Sequence, residues 1–181
     1  MATTTDSRTT GTTLALTPIE TVTVRQHTDE VLEVEVTWGP GGAPPAHLHP
    51  DQDERFEVLA GVVDVRIGGV ERRFGPGEAF DVPRGTAHQM WNAGAEPARA
   101  IWQTRPAGGT AAWFTALDRA QRSGRLGPKG MPGLTGMAVL LRHHRHAFRL
   151  AAGPRPLVSA VLAVLAGVGR LRGYRPDGSV R

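Results

Sequence analysis

The fold is decided by residues 41–61, which read GGAPPAHLHPDQDERFEVLAG. Within this stretch His47 and His49 are two residues apart, so both side chains lie on one face of an extended segment. Pro50 and the acidic residues after it interrupt that segment. The chain can therefore turn and bring Glu54 back beside the two histidines, as part of the next strand.

A second block, residues 77–92, reads GEAFDVPRGTAHQMWN and adds His88. A single histidine on a mixed face is best interpreted as an ordinary polar residue of a sheet. Here three of the seven histidines and one carboxylate fall on spacings that allow the side chains to converge. The combination predicts a site for one divalent metal ion.

This two-part pattern resembles the two motifs of the cupin superfamily, and the resemblance covers roughly Thr17 to Arg105. The spacer of fifteen residues, 62–76, fits the small bacterial members. By that resemblance the metal ligands are His47, His49, Glu54 and His88. The resemblance also implies that turns and strand ends are shaped by Gly61, Gly77, Pro83, Gly85 and Asn92.

The strand signals agree with that family. Apolar and polar residues alternate from Leu32 to Trp38 and again from Val63 to Ile67, as expected of strands with one buried face. Gly68-Gly69 predicts a two-residue hairpin. We therefore expect an all-β fold, which the resemblance specifies as a cupin barrel (double-stranded β-helix or jelly-roll) with an α-helical C-terminal extension.

Composition divides the 181 residues into three parts. Residues 1–16 are rich in threonine and are predicted to be a disordered leader; residues 17–105 form the barrel and residues 106–181 the extension. Residues 1–104 contain 8 basic and 15 acidic side chains, a net charge of −7, whereas residues 105–181 contain 13 basic and 2 acidic ones, a net charge of +11. The change of sign coincides with the end of the strand pattern.

The extension carries three helical patterns. Its first apolar stripe runs from Trp113 to Ala120, its second from Met137 to Phe148, and its third from Leu157 to Leu171. The third is shorter than the roughly 20 apolar residues of a membrane span. We expect the helices to pack on the barrel or on a second subunit, with attachment to a membrane surface as the less favoured alternative.

The extension resembles those of some actinobacterial small cupins. Its basic residues lack the aromatic platform of a nucleic-acid-binding module, so nucleic acid is not predicted as a partner. His143 and His146 are helical neighbours without a third ligand nearby, which favours a solvated basic face over a second metal site. His144 lies on the apolar stripe and would meet substrate only if its helix covered the barrel mouth.

Three imidazoles and one carboxylate leave two free positions in an octahedral metal shell, which is typical of a catalytic centre. Mixed nitrogen and oxygen ligands suit iron, manganese, cobalt, nickel, copper or zinc, so the residues alone do not name the ion. The resemblance to metal-dependent cupin dioxygenases favours iron or manganese, with zinc, nickel, cobalt and copper as alternatives. No cysteine is present, so thiolate sites are excluded.

Glu54 is at once an anchor and a candidate proton acceptor, and the residues leave both roles open. The candidate walls of an apolar cavity are Trp38, Phe56, Val58, Phe80, Met90 and Trp102.

The resemblance favours a metal-dependent enzyme, a dioxygenase-like oxidoreductase acting on a small oxygen-bearing molecule. A metal-dependent isomerase and a non-catalytic binding or sensor protein are the alternatives. Relatives commonly form homodimers, so we expect one here. The absence of cysteine and of an export signal favours the cytoplasm.

Overall fold

A computed structural model describes residues 10–127 and 129–181. Eleven strands and three helices are present in that part of the chain. The strands are β1 (Thr13–Thr17), β2 (Glu20–His27), β3 (Leu32–Trp38), β4 (His47–Leu48), β5 (Asp53–Ala60), β6 (Val63–Ile67), β7 (Val70–Phe74), β8 (Ala79–Val82), β9 (His88–Trp91), β10 (Ala98–Arg105) and β11 (Arg149–Leu150). The helices are α1 (Thr110–Arg122), α2 (Leu134–His143) and α3 (Arg155–Leu171).

The strands form two antiparallel sheets. One has the order β1-β2-β3-β10-β5-β8, and the other has the order β11-β4-β9-β6-β7. Neighbours such as β3 and β10 are far apart in sequence, as expected when strands pair across a jelly-roll rather than as successive hairpins. The fold is therefore mostly β, with three helices added after the last long strand.

Alternation fixes which strand faces are buried. In β3 every second residue, from Leu32 to Trp38, is buried, as the sequence predicts. The predicted hairpin between β6 and β7 is present, and Gly68 and Gly69 both have positive φ angles, 56° and 88°. In β9 and just beyond it, His88, Met90 and Asn92 face inward together.

The leader predicted over residues 1–16 is too long. Thr13–Thr17 forms β1, which pairs with β2, and Leu16 is buried. Leu14 and Leu16 alternate with polar or small residues, and β-branched threonine suits a strand, so the threonine-rich composition concealed an ordinary edge strand. Residues 1–9 lie outside the described residues.

The helices of the extension share one hydrophobic core with the sheets. Trp113, Phe114 and Leu117 of α1 and Leu140 and Leu141 of α2 belong to the same buried cluster as the inward residues of β3, β5 and β10. Packing of a helix on the β strands, which the sequence favoured, is thus observed for α1, which lies against β1, while α2 contributes to the same core.

The third helix is attached to α2 rather than to the sheets. Ala166 is buried with Ala138 and Val139, while Leu157, Val164 and Leu171 are exposed on the opposite side. In the described residues no helix is both long enough and apolar enough to cross a membrane.

Candidate metal centre

The three predicted histidines meet at one end of the space between the sheets. His47 begins β4 and is paired in register with His88 at the start of β9, and His49 follows β4 directly. One ring nitrogen from each lies within 4.8 Å of those from the other two. His49 and His88 are buried and His47 is partly exposed. This is the arrangement that a metal ion requires of its ligands.

Each histidine is oriented by a backbone carbonyl. The Nδ1 atoms of His47, His49 and His88 lie 3.4, 2.5 and 3.0 Å from the carbonyl oxygens of Pro45, Ala147 and Thr86, respectively. A carbonyl oxygen only accepts hydrogen bonds, so in each neutral ring the proton is on Nδ1 and the lone pair is on Nε2. Carbonyls that orient histidines in this way are usual around metal sites.

Glu54 lies beside this group on β5, with its side chain fully covered. Its Oε1 is 3.3 Å from His49 Nε2, and its Oε2 is 3.2 Å from His88 Nε2. Trp102 Nε1 donates a hydrogen bond to Oε1 at 3.0 Å. The group of ring nitrogens within 4.8 Å of one another consists of His47, His49 and His88 and does not include Glu54. The close contacts of Glu54 are with His49 and His88.

The close contacts of Glu54 place its carboxylate oxygens, which are hydrogen-bond acceptors, against ring nitrogens that also only accept. The Nε2 atoms of His49 and His88 and the Oε2 of Glu54 are all buried without a hydrogen-bond partner. Lone pairs that face one another at this depth are unfavourable unless a proton or a cation lies between them. A divalent cation therefore fits the donor set, because it would satisfy these atoms together.

Electrostatics favours the neutral histidines that a metal needs. Burial lowers the pKa of His47 well below its usual value, and the neighbouring His88 and His49 lower it further. Burial also lowers the pKa of His49, although the nearby Glu54 partly opposes that effect. At neutral pH these imidazoles are consequently unprotonated at Nε2 and available as ligands.

The C-terminal extension forms one wall of the site, through a segment that we call the cap, residues 147–150. The ring of Phe148 stacks on that of His47 with centroids 4.4 Å apart and meets His49 edge-on at 5.9 Å. Strand β11 pairs with β4, which holds the cap against the histidines. Sequence reasoning missed this role, because it placed Phe148 on the stripe of a helix that ends at His143.

A second link joins the extension to the loop between His49 and Glu54. Gln52 is buried, and its Nε2 lies 2.7 Å from the carbonyl oxygen of Ala107 and 2.8 Å from Thr110 Oγ1. The start of the extension is thereby fixed to the loop that connects two of the predicted ligands, His49 and Glu54. The only sequence signal was an amide side chain between two acidic residues.

The turn residues implied by the resemblance are at strand ends. Gly61, Gly77 and Gly85 have φ angles of 70°, 83° and 74°, which favour glycine. Asn92 Nδ2 donates to the carbonyl oxygens of Trp38 and Glu96, and its Oδ1 accepts from the backbone of Gly94. These contacts shape the turn after β9.

The other residues singled out in the sequence are the candidate cavity walls and the histidines of the extension. Trp102 contacts Glu54 directly, whereas the other predicted wall residues are buried in the common core: Trp38, Phe56, Val58, Phe80 and Met90. His144 Nε2 donates to the carbonyl oxygen of Pro176 at 3.2 Å and is not part of the centre. His143 and His146 belong to no group of three candidate ligands in the described part of the chain.

The family described as the cupin domain matches residues 34–104, the segment that contains all four predicted ligands. Over 71 residues the chain is 37% identical to the tetracenomycin polyketide synthase protein TcmJ of Streptomyces glaucescens, covering 39% of this chain and 48% of TcmJ. It is 43% identical over 49 residues to oxidoreductase iacF of Pestalotiopsis fici, covering 26% of this chain and 24% of iacF. The chain thus spans about half or less of these relatives.

Two solved structures share the fold. KdgF from Halomonas sp. is 24% identical with a TM-score of 0.51, covering 55% of this chain and 92% of KdgF. An RmlC-like cupin from Shewanella frigidimarina is 18% identical with a TM-score of 0.51, covering 56% of this chain and 88% of that one. At these identities the likeness establishes the arrangement of the strands.

Proposed function

The chain belongs to the cupin superfamily, and from that premise we propose that it is a metal-dependent enzyme acting on a small oxygen-bearing organic molecule. One observation carries the proposal: three buried or half-buried imidazoles bring one ring nitrogen each within 4.8 Å of the others, and the Nε2 atoms of His49 and His88 and the Oε2 of Glu54 have no hydrogen-bond partner. A purely structural cluster of this kind would leave several buried polar atoms without partners.

The proposed ligands are His47, His49, His88 and Glu54, and the proposed ion is iron or manganese. A bound ion would supply a Lewis acid for an oxygen atom of the substrate and, when redox-active, a means of electron transfer. His47 is the most exposed of the histidines, so the open side of the centre is on its flank. The substrate then approaches from the His47 side, where the ring of Phe148 forms the wall.

The two oxygens of Glu54 have different roles in this proposal. Oε1 is held by the indole N–H of Trp102, which fixes the carboxylate plane. Oε2 receives no hydrogen bond from the protein, so it is the atom free to bind the ion or to accept a proton from a substrate hydroxyl or C–H group. Trp102 therefore positions Glu54, and Glu54 carries the proton.

We further propose an oxidation of the dioxygenase type, on a phenol or diketone of the kind found in polyketides. Two relatives support this choice by name, one a polyketide synthase protein and the other an oxidoreductase. The aromatic walls of the site suit a flat, oxygen-rich substrate.

The test is oxygen uptake by iron-loaded and manganese-loaded protein with catechol, acetylacetone or the flavonol quercetin. We expect uptake with at least one substrate, its loss in Glu54→Gln, and its retention in His143→Ala, which changes a histidine outside the centre. Consumption of substrate without oxygen would favour the isomerase. No turnover with either metal, together with stoichiometric metal binding, would leave a binding or sensor protein.

The homodimer stays a prediction, and light scattering in solution tests it.

A further inference from the structure

A second cavity lies within the extension, outside the cupin match. It has a volume of about 260 Å³ and lies between α2, the cap and the start of α3. Four arginines line it: Arg142, Arg145, Arg149 and Arg155. Its apolar surface comes from Leu141, Phe148, Leu150, Val158 and Leu162. A concave apolar surface with converging charged groups is the usual form of a small-molecule site.

The four guanidinium groups have no carboxylate partner among the described residues. The extension has only two acidic side chains, Asp118 and Asp177, which pair with Arg122 and Arg119, respectively. Arg142, Arg145 and Arg155 are exposed and Arg149 is half-buried, so water partly screens their repulsion. Their four like charges still give the cavity a positive potential. An anion in the cavity would relieve that repulsion.

Part of the arginine arrangement has a structural explanation. Arg149 Nε donates to the carbonyl oxygen of Arg145 at 2.7 Å, which helps to shape the cap. Arg142 lies in the last turn of α2, where a cation is favoured by the helix dipole. Arg155 has neither explanation, because it begins α3, whose positive dipole end disfavours a cation.

The start of α3 adds to the positive potential. It has no side-chain cap and no acidic residue in its first turn. The positive end of the α3 dipole favours an anion. Backbone donors contribute little, because Pro156 has no N–H group and the N–H groups of Leu157 and Val158 donate to the carbonyl oxygen of Pro154. The arginines, the helix start and the apolar walls therefore all favour the same ligand chemistry.

We propose that this cavity binds a small organic carboxylate with an apolar body. The acidic group pairs with Arg142 and Arg155, and the body packs on Phe148 and Leu162. The volume lies just below the roughly 300–1,000 Å³ typical of ligand pockets, so the body is a short chain or one or two fused rings.

Phe148 connects this cavity to the candidate metal centre. It lines the cavity and also stacks on His47. A bound carboxylate consequently contacts a wall of the metal centre without touching a proposed ligand. None of the proposed ligands lines the cavity, so binding there does not depend on the ion.

The test is calorimetric titration of the full chain with 1-naphthoate, and with 1-naphthalenemethanol as the neutral control. We expect the carboxylate to bind at least about tenfold more tightly than the alcohol. Binding should persist after the protein has been stripped with a chelator, which distinguishes this cavity from coordination of the carboxylate to a metal ion. Binding only to metal-loaded protein would overturn the proposal while leaving the metal centre intact.

The matched variants remove the same charge from two places. Arg142→Gln/Arg155→Gln should weaken 1-naphthoate binding by about tenfold or more, whereas Arg170→Gln/Arg172→Gln, outside the cavity, should leave it within about twofold. Equal losses in both variants, or no binding by the wild type, would refute the site. A third arm uses phosphatidylglycerol vesicles: if Arg142→Gln/Arg155→Gln abolishes sedimentation with them and 1-naphthoate does not bind, the arginines serve a lipid surface and the proposal is wrong.

Discussion

The β strands and the C-terminal extension contribute to the candidate metal centre in different ways. The strands and their loops supply every proposed ligand, whereas the extension supplies none and instead orients His49 through the Ala147 carbonyl and covers His47 with Phe148. The extension is also strongly basic, while the part before it is acidic. The proposed metal ligands thus belong to the strands and their loops, and the orientation of two of the histidines depends on the extension.

The largest expected effect breaks the ligand set itself. Glu54→Gln should weaken metal binding by at least about 100-fold, since even residues that only support ligands typically contribute 10–100-fold. In the metal-free protein the same change should raise the free energy of unfolding by about 1 kcal/mol, because the new amide can donate to His88 Nε2, which now faces an oxygen. Metal titration and urea unfolding measure the two. Unchanged metal affinity would remove Glu54 from the centre.

A smaller effect is expected from the cap. Phe148→Ala removes the ring that stacks on His47 and, with centroids 5.0 Å apart, on Trp113. The side chain is half-buried, so we expect a loss of about 2 kcal/mol in unfolding free energy, below the 3–5 kcal/mol of a fully buried phenylalanine. Metal affinity should fall by about tenfold.

The control for the cap is Leu134→Ala, at a position in the same extension that is 80% exposed. It should change neither unfolding nor metal affinity measurably. If Phe148→Ala were as silent as this control, the extension would not contribute to the centre.

Two glycines of α3 test how tightly the extension is assembled. A Cβ on Gly169 would lie 2.3 Å from the carbonyl oxygen of Thr135, whereas one on Gly167 would meet nothing within 4 Å. Gly169→Ala should therefore destabilise the protein by about 1–2 kcal/mol, and Gly167→Ala should stabilise it by about 0.5 kcal/mol through helix propensity. Thermal unfolding distinguishes them. Equal shifts would mean that α3 does not pack closely on α2.

The smallest effect concerns acidic groups, whose pKa values differ between the two regions. Burial raises the pKa of Glu20, in β2, from 4.5 to about 7, although a hydrogen bond from Trp38 opposes the shift. Asp177, in the extension, has its pKa lowered, mainly by hydrogen bonds from Ser179. The folded state thus binds more protons at Glu20 than the unfolded state does between pH 4.5 and 7.

The stability from Glu20 is therefore complete below pH 4.5 and is lost as the pH rises through 7. Glu20→Gln should gain about 1 kcal/mol relative to the wild type between pH 5 and pH 8. This is less than the roughly 2.5 kcal/mol of the full shift, because Glu20 is only half-buried and water screens its charge. Asp177→Asn should keep a constant difference over that range, since its carboxyl titrates at lower pH. Urea unfolding at the two pH values measures both, and a constant difference for Glu20→Gln would contradict the shift.

The sequence predicted the strands well because they depend on short-range spacing, and it also predicted that three of the histidines lie close together. Alternation identified β3 and β6, the Gly68-Gly69 turn identified β7, and the motif placed His47, His49 and His88 together. Whether Glu54 completes the ligand set stays a prediction. The starts of the three helices were also approximately correct, since each has an apolar stripe. The predicted end of α2 was wrong, because the helix ends at His143 and the stripe was continued to Phe148.

The cap could not be predicted, for physical reasons. Ala147 acts through its backbone carbonyl, which every residue possesses, and Phe148 pairs with a histidine about 100 positions earlier in the chain. Strand β11 has only two residues, too few for a periodic signal. Long-range contacts of this kind leave no pattern in one sequence.

The most direct test of the central claim is the metal content of freshly purified protein, measured by elemental analysis with matched histidine variants. The wild type and His143→Ala should each carry one transition-metal ion per chain, and His49→Ala and His88→Ala should carry none. Equal metal content in all four proteins, or equal loss from all three variants, would contradict a centre built from these histidines.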